Sequence, residues 1–83
     1  MEERLVGEVT HYFGKINVAG IRLSGDLAVG EEVRISGHTT GFTCTVESIQ
    51  IDHRAIDQAG PGDQIGMSVP ERVRVGDRIS KIA

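Results

Sequence analysis

Residues 59–69 read AGPGDQIGMSV and constrain the fold more than any other stretch, because they spell a turn that launches a strand. Pro61 fixes its own φ and pushes Gly60 toward an extended or left-handed backbone. Gly62-Asp63 is turn chemistry, since Gly accepts φ > 0 and Asp can bond its own backbone. Ile65, Met67 and Val69 then alternate with Gln64, Gly66 and Ser68, the period of a half-buried strand. The same device occurs at Val29-Gly30-Glu31, leading into Val33 and Ile35, and at Val75-Gly76-Asp77, leading into Ile79. Three Gly-acid turns feeding three short strands predict a small closed β structure.

Eighty-three residues form one domain, 1–83. The core must come from branched aliphatics, because the chain has two Phe, one Tyr and no Trp. A net charge of −3 argues against a polyanion binder acting by overall field. The charge is uneven, however. Residues 69–83 hold Arg72, Arg74, Arg78 and Lys81 against Glu71 and Asp77, and the preceding residues are acidic. The single Cys44 excludes an internal disulfide and fits a reducing compartment. No apolar run approaches a membrane span, and the first residues, MEERLVGEV, do not read as a signal peptide. A cytoplasmic location with no membrane partner is therefore expected.

Along the chain, residues 5–13 read as a first strand with Leu5, Gly7, Val9, His11 and Phe13 on one face. Residues 16–23 read as a second strand. Its apolar phase flips between Val18 and Ala19, which predicts a β-bulge at Gly20. Residues 32–36 form the third strand. Residues 42–52 read as the longest strand, with Phe42, Cys44 and Val46 on one face and a second flip near Ser48. Residues 53–58 are too short for an independent helix and are expected to loop with Ile56 inward. A fifth strand follows within residues 59–69. Val73 and Val75 are expected to seal one barrel end, and residues 79–82 close the structure.

Residues 46–69, VESIQIDHRAIDQAGPGDQIGMSV, resemble the second domain of translation elongation factors of the Tu and one-alpha type. The matching positions are Val46, Ser48, Ile49, Ala59, Pro61, Gly62, Asp63, Ile65 and Gly66. Residues 25–37 (GDLAVGEEVRISG) and 74–79 are similar to further family patterns, so the resemblance spans roughly residues 20–81. It implies an all-β, closed, six- to seven-stranded Greek-key-like barrel of the translation-protein type. It also places Gln50 where that family carries a glutamate in its pocket for the tRNA terminal adenosine. No phosphate-binding loop is present, and the chain is too short for a GTPase domain. The opening HYFGKINVAGIRL is similar to the C-terminal barrel of U32-type peptidase proteins.

His11, His38, His53 and Cys44 match no zinc spacing, and Cys44 reads as a small core residue. No Ser or Cys is spaced with His and an acid for nucleophilic catalysis, so no enzyme activity and no cofactor are expected. Gly60-Pro61-Gly62 lacks the amide and the Lys of a phosphate cradle. Arg72 and Arg74 share a parity and can present two guanidiniums side by side to phosphates. The expected function is a non-catalytic binding module in a translation context. It would contact tRNA, rRNA, or a ribosome- or GTPase-associated protein through Gln50, Arg72, Arg74, Arg78 and Lys81, and no DNA. The alternative is a protein-interaction barrel acting with a U32-type peptidase partner.

Overall fold

The computed structural model describes residues 3–82. They form β1 (Glu3–Phe13), β2 (Val18–Leu23), β3 (Leu27–Ala28), β4 (Glu32–Ser36), β5 (Gly41–Thr45), β6 (Ile49–Ile51), β7 (Arg54–Ile56), β8 (Gln58–Ala59), β9 (Gln64–Ser68) and β10 (Arg78–Ile82). Eight strands make one antiparallel sheet in the order β5-β4-β10-β1-β2-β9-β6-β7, and β3 pairs with β8 in a separate ribbon. The all-β expectation holds. The closed six- to seven-stranded barrel does not, because no ladder joins β5 to β6 or β7.

The sheet is nevertheless strongly rolled. Residues 46–48 connect β5, at one edge, to β6, the seventh strand in sheet order. Such a connection reaches about 14 Å. Six flat inter-strand spacings would require about 29 Å. The two ends must therefore approach each other. The single strand expected over residues 42–52 is broken at this crossing, and the phase flip near Ser48 marks the break.

The three Gly-acid turns are copies of one another. Gly30, Gly62 and Gly76 have φ of +95°, +89° and +95°. In each turn the residue two before the Gly accepts a bond from the amide of the acid: Glu31 N to Ala28 O at 3.2 Å, Asp63 N to Gly60 O at 3.1 Å, and Asp77 N to Arg74 O at 3.0 Å. In each, that same residue donates its N–H to the acid side chain: Ala28 to Glu31 at 2.7 Å, Gly60 to Asp63 at 2.9 Å, and Arg74 to Asp77 at 2.8 Å. Positive φ only at the third position defines a type II turn, where Gly is demanded. The second position, held by Val29, Pro61 and Val75, is a corner. Val75 is thus 69% exposed and does not seal a barrel end, whereas Val73 is buried.

The bulges lie on β1, not on β2. Register along β1 shifts between Leu5 and Gly7 against β10, and between Val9 and His11 against β2. Opposite the second shift is Gly20, where β2 itself pairs with β9 without interruption. β2 therefore carries no bulge: Ala19, Ile21 and Leu23 keep one buried face, and the flip in the sequence arises because Ile16 lies in the turn and Val18 on the outer face. The bulges also split the face expected for residues 5–13. Val6 and Val9 are buried, while Leu5 and Phe13 are half exposed. Ile16 belongs to the β1–β2 turn, at 67% exposure, rather than to the second strand.

Residues 53–58 hold a strand instead of a loop. Asp52 and His53 have φ of 51° and 65° and join Ile51 to Arg54 in a two-residue hairpin. Two successive positive φ values are the type I′ signature whose twist matches antiparallel strands. Between the sheet walls, Ile21, Val33, Ile35, Ile49, Met67 and Ile79 are fully buried in one core. Phe42, Cys44, Ile51 and Ile56 pack against it while partly exposed.

Candidate functional site

Register on the outer sheet face sets out a row of four residues across β6, β9, β2 and β1. Gln50 pairs with Gly66, Gly66 with Gly20, and Gly20 with His11. The two central positions have no side chain, so bare backbone forms a floor between Gln50 and His11. Phe13 and Val18, paired with each other, lie one step along on the same face, and Gln64 on the opposite side. With Ile16, Asp52 and His53 these residues line an open groove of about 510 Å³.

The bulge on β1 builds one wall. The Thr10 hydroxyl donates to Gly20 O at 3.2 Å and accepts from Gln64 Nε2 at 2.7 Å, and it lies 3.2 Å from His11 Nδ1. A hydroxyl has one proton and two lone pairs. With its proton directed at Gly20 O, Thr10 keeps both lone pairs for its neighbours, and Gln64 Nε2 takes one of them. The His11 and Phe13 rings lie nearly parallel, 11° apart in plane, with centroids at 6.1 Å. The groove therefore offers an apolar aromatic wall, a flat peptide floor, and the hydrogen-bonding groups of His11 and Gln50.

The other residues singled out in the sequence are not gathered here. Arg78 sits in a cross-strand row Arg22–Glu8–Arg78, where Glu8 separates the two guanidiniums. That row borders a smaller depression of about 330 Å³ that also includes Leu5 and Ser24. Lys81 Nζ is 3.1 Å from Glu31 Oε2 and is held in an ion pair. Arg72 and Arg74 flank buried Val73 and are both exposed, as their shared parity predicts. Gln50 lies on β6, whereas Arg78 and Lys81 lie on β10 and Arg72 and Arg74 in the loop before it. The basic residues and Gln50 thus share neither a strand nor a cross-strand row.

Among the described residues no three His, Cys, Asp or Glu side chains come together as a metal site. Cys44 is half-buried, and burial, followed by the charges of Glu47 and Glu71, pushes its thiol above 9.0. No described helix is long and apolar enough to cross a membrane. The groove was not legible beyond Gln50, because Gly20 and Gly66 become neighbours only through the β2–β9 register.

No family model matches the chain. It is 38% identical over 75 residues, 89% of its length, to an uncharacterized protease of Methanocaldococcus jannaschii. It is 34% identical over 80 residues to a protein of Porphyromonas gingivalis named collagenase. The chain spans about a fifth of the length of these relatives, 18% and 22% respectively. Among solved structures, the C-terminal domain of a Geobacillus thermoleovorans protein named as a U32 peptidase superimposes with a TM-score of 0.90. That match covers 96% of this chain and 93% of that one at 20% identity. These relatives correct the expectation that the chain stands apart from enzymes, because proteins named protease and collagenase carry its homologous segment. Over most of its length the chain is homologous to a segment of proteins named protease and collagenase, and it shares the fold of a U32 peptidase C-terminal domain.

Proposed function

We propose that the chain serves a U32-type peptidase as its β module, and that the groove over Gly20 and Gly66 is where it meets the peptidase. The observation that carries this reading is the 38% identity over nearly the whole chain to the archaeal protease. The groove supports it chemically. An apolar wall with a few fixed polar groups suits a protein surface better than a polyphosphate. Phe13, 51% exposed, is the aromatic anchor in this reading, and Gln50 and His11 set orientation. Arg72, Arg74, Arg78 and Lys81 contribute at most a rim, where charges tune association rate more than affinity.

The test is affinity capture of the tagged chain from its source cell, read for both protein and RNA. Recovery of a U32-type peptidase chain, lost when Phe13→Asp is used as bait, supports the proposal. Recovery of tRNA, rRNA or a translation GTPase without a peptidase would overturn it in favour of the translation reading. RNA capture would also weaken with salt, at a slope of about −0.7 per phosphate contacted.

A further inference from the structure

We infer that β5 is a docking edge for a second copy of this chain, pairing antiparallel with the partner's β5 about a two-fold axis at Thr43. Because the sheet stays open, β5 has β4 on one side and no strand on the other among the described residues. A row of free backbone N–H and C=O groups is satisfied by one kind of ligand, an extended polypeptide strand.

Natural edges are guarded by charges, proline, bulges or a covering element. The opposite edge, β7, is three residues long and begins with Arg54. By contrast β5, Gly41-Phe42-Thr43-Cys44-Thr45, contains no charge and no proline, and its register with β4 runs without a shift. Gly41, Thr43 and Thr45 are exposed, whereas Phe42 and Cys44 are half-buried on the other face.

The strand that best complements this edge is uncharged and carries apolar groups opposite Phe42 and Cys44. Turned about Thr43, β5 meets both requirements. Phe42 then faces the partner's Cys44, a sulfur–aromatic contact made twice, and Thr43 faces the partner's Thr43. β5 itself brings no charge to the pairing; Glu47 and Glu71, whose charges reach Cys44, lie near each half and further limit its strength. Arg34 lies opposite Thr43 on β4, so it would stand three strand spacings, about 14 Å, from the partner's Arg34. That exceeds the screening length of about 8 Å at physiological salt. A five-residue edge is a small interface, so the association is expected to be weak.

Sedimentation equilibrium of the 83-residue chain between about 10 and about 500 µM, the range a small interface calls for, tests the inference. The expected result is a mass rising from 8.9 kDa toward twice that value. Thr43→Lys, at an exposed position, should raise the dissociation constant at least about tenfold by placing like charges opposite each other. Arg54→Thr on the other edge should leave it unchanged. Amide exchange in wild-type β5 should slow as concentration rises, a readout that needs no variant. A mass fixed at 8.9 kDa throughout, or a Thr43→Lys chain that dimerises like wild type, would overturn the inference. So would a monomer that pairs β5 with an unrelated extended peptide.

Discussion

The Asp77 carboxylate fills the space that a side chain at Gly37 would need. A Cβ built on Gly37 would overlap Asp77 Oδ1 and sit 2.7 Å from its Cγ. Asp77 is 4% exposed and cannot swing away freely, because Oδ2 accepts the Arg74 N–H at 2.8 Å. Its backbone is also fixed, since Asp77 O accepts Val9 N–H and Val9 O accepts Gly76 N–H. The third Gly-acid turn is thus clamped between β1 and the loop after β4.

Gly37→Ala is therefore expected to destabilise the fold by about 2–4 kcal/mol, combining overpacking with loss of a buried bond. That is a large share of the roughly 4–12 kcal/mol available to a domain of this size. Urea unfolding of Gly37→Ala, Asp77→Ala and the double variant supplies the check. Removing the carboxylate relieves the clash, so the double variant should be scarcely less stable than Asp77→Ala alone. Additive effects would mean that the two residues do not compete for space.

Much of this was legible before the fold was known. The Gly-acid turns were visible because each uses a local signal, Gly followed by an acid ahead of alternating aliphatics. The bounds of β4 were visible for the same reason. Long-range registers were not. The flip at Gly20 was visible, but it marks the outward Val18 beside an unbroken inward run on β2, while the bulge itself, at Thr10, lies on another strand. The hairpin at Asp52-His53 was hidden because its residues are not the Asn-Gly or Asp-Gly pairs that usually mark a type I′ turn. Val75 looked like core by hydrophobicity, yet turn geometry places it at a corner. The open edge at β5 is a property of sheet order, which no local pattern encodes.

The equivalence of the three turns makes opposite forecasts for one substitution at two sites. Pro61 already holds the second position of its turn. Val75 holds it in the third turn, and its N–H donates to no backbone carbonyl among the described residues. Val75→Pro should stabilise by about 0.4–1 kcal/mol through the unfolded state. For a domain of this size that is a rise of roughly 2–8 °C in Tm. Val29 N–H instead donates to Asp57 O at 2.8 Å, which ties β3 to β8. Val29→Pro removes that bond and should destabilise by about 1 kcal/mol or more. Thermal melts of both variants decide the matter, and a shared sign would contradict the equivalence.

Cys44 is expected to behave as a core thiol. Burial raises its pKa above 9.0, with Glu47 and Glu71 adding to the shift. A raised folded-state pKa means that the folded chain holds this proton more tightly than the unfolded chain does. The associated stability is complete below the unfolded value and fades as pH climbs through the folded one. Stability should therefore decline from about pH 9 upward in wild type, near the ordinary thiol range. The decline should be shallower in Cys44→Ala. Labelling by a disulfide reagent at pH 7 should be at least about tenfold slower than in the urea-unfolded chain. Equal rates would show that the thiol is freely accessible.

The groove floor can be raised at one glycine with little disturbance to the fold. A Cβ at Gly66 would meet Val18 Cγ1 at 3.3 Å, the end of a half-exposed side chain that can yield by a few tenths of an ångström. At Gly20 the corresponding Cβ would lie 3.1 Å from His11 Cβ, at the root of a side chain fixed by the bulge. Gly66→Ala should therefore shift stability by less than about 1 kcal/mol, whereas Gly20→Ala should cost about 1–3 kcal/mol. Both put a methyl group on the flat surface between Gln50 and His11. If a peptidase surface packs there, Gly66→Ala should weaken its capture at least about tenfold, as loss of complementarity at an interface centre does. Calorimetric titration of the captured peptidase against wild type, Gly66→Ala and Arg72→Ala makes the comparison. Loss with Gly66→Ala and retention with Arg72→Ala assigns the contact to the groove. The reverse order would move it to the arginine-bearing loop at residues 70–77.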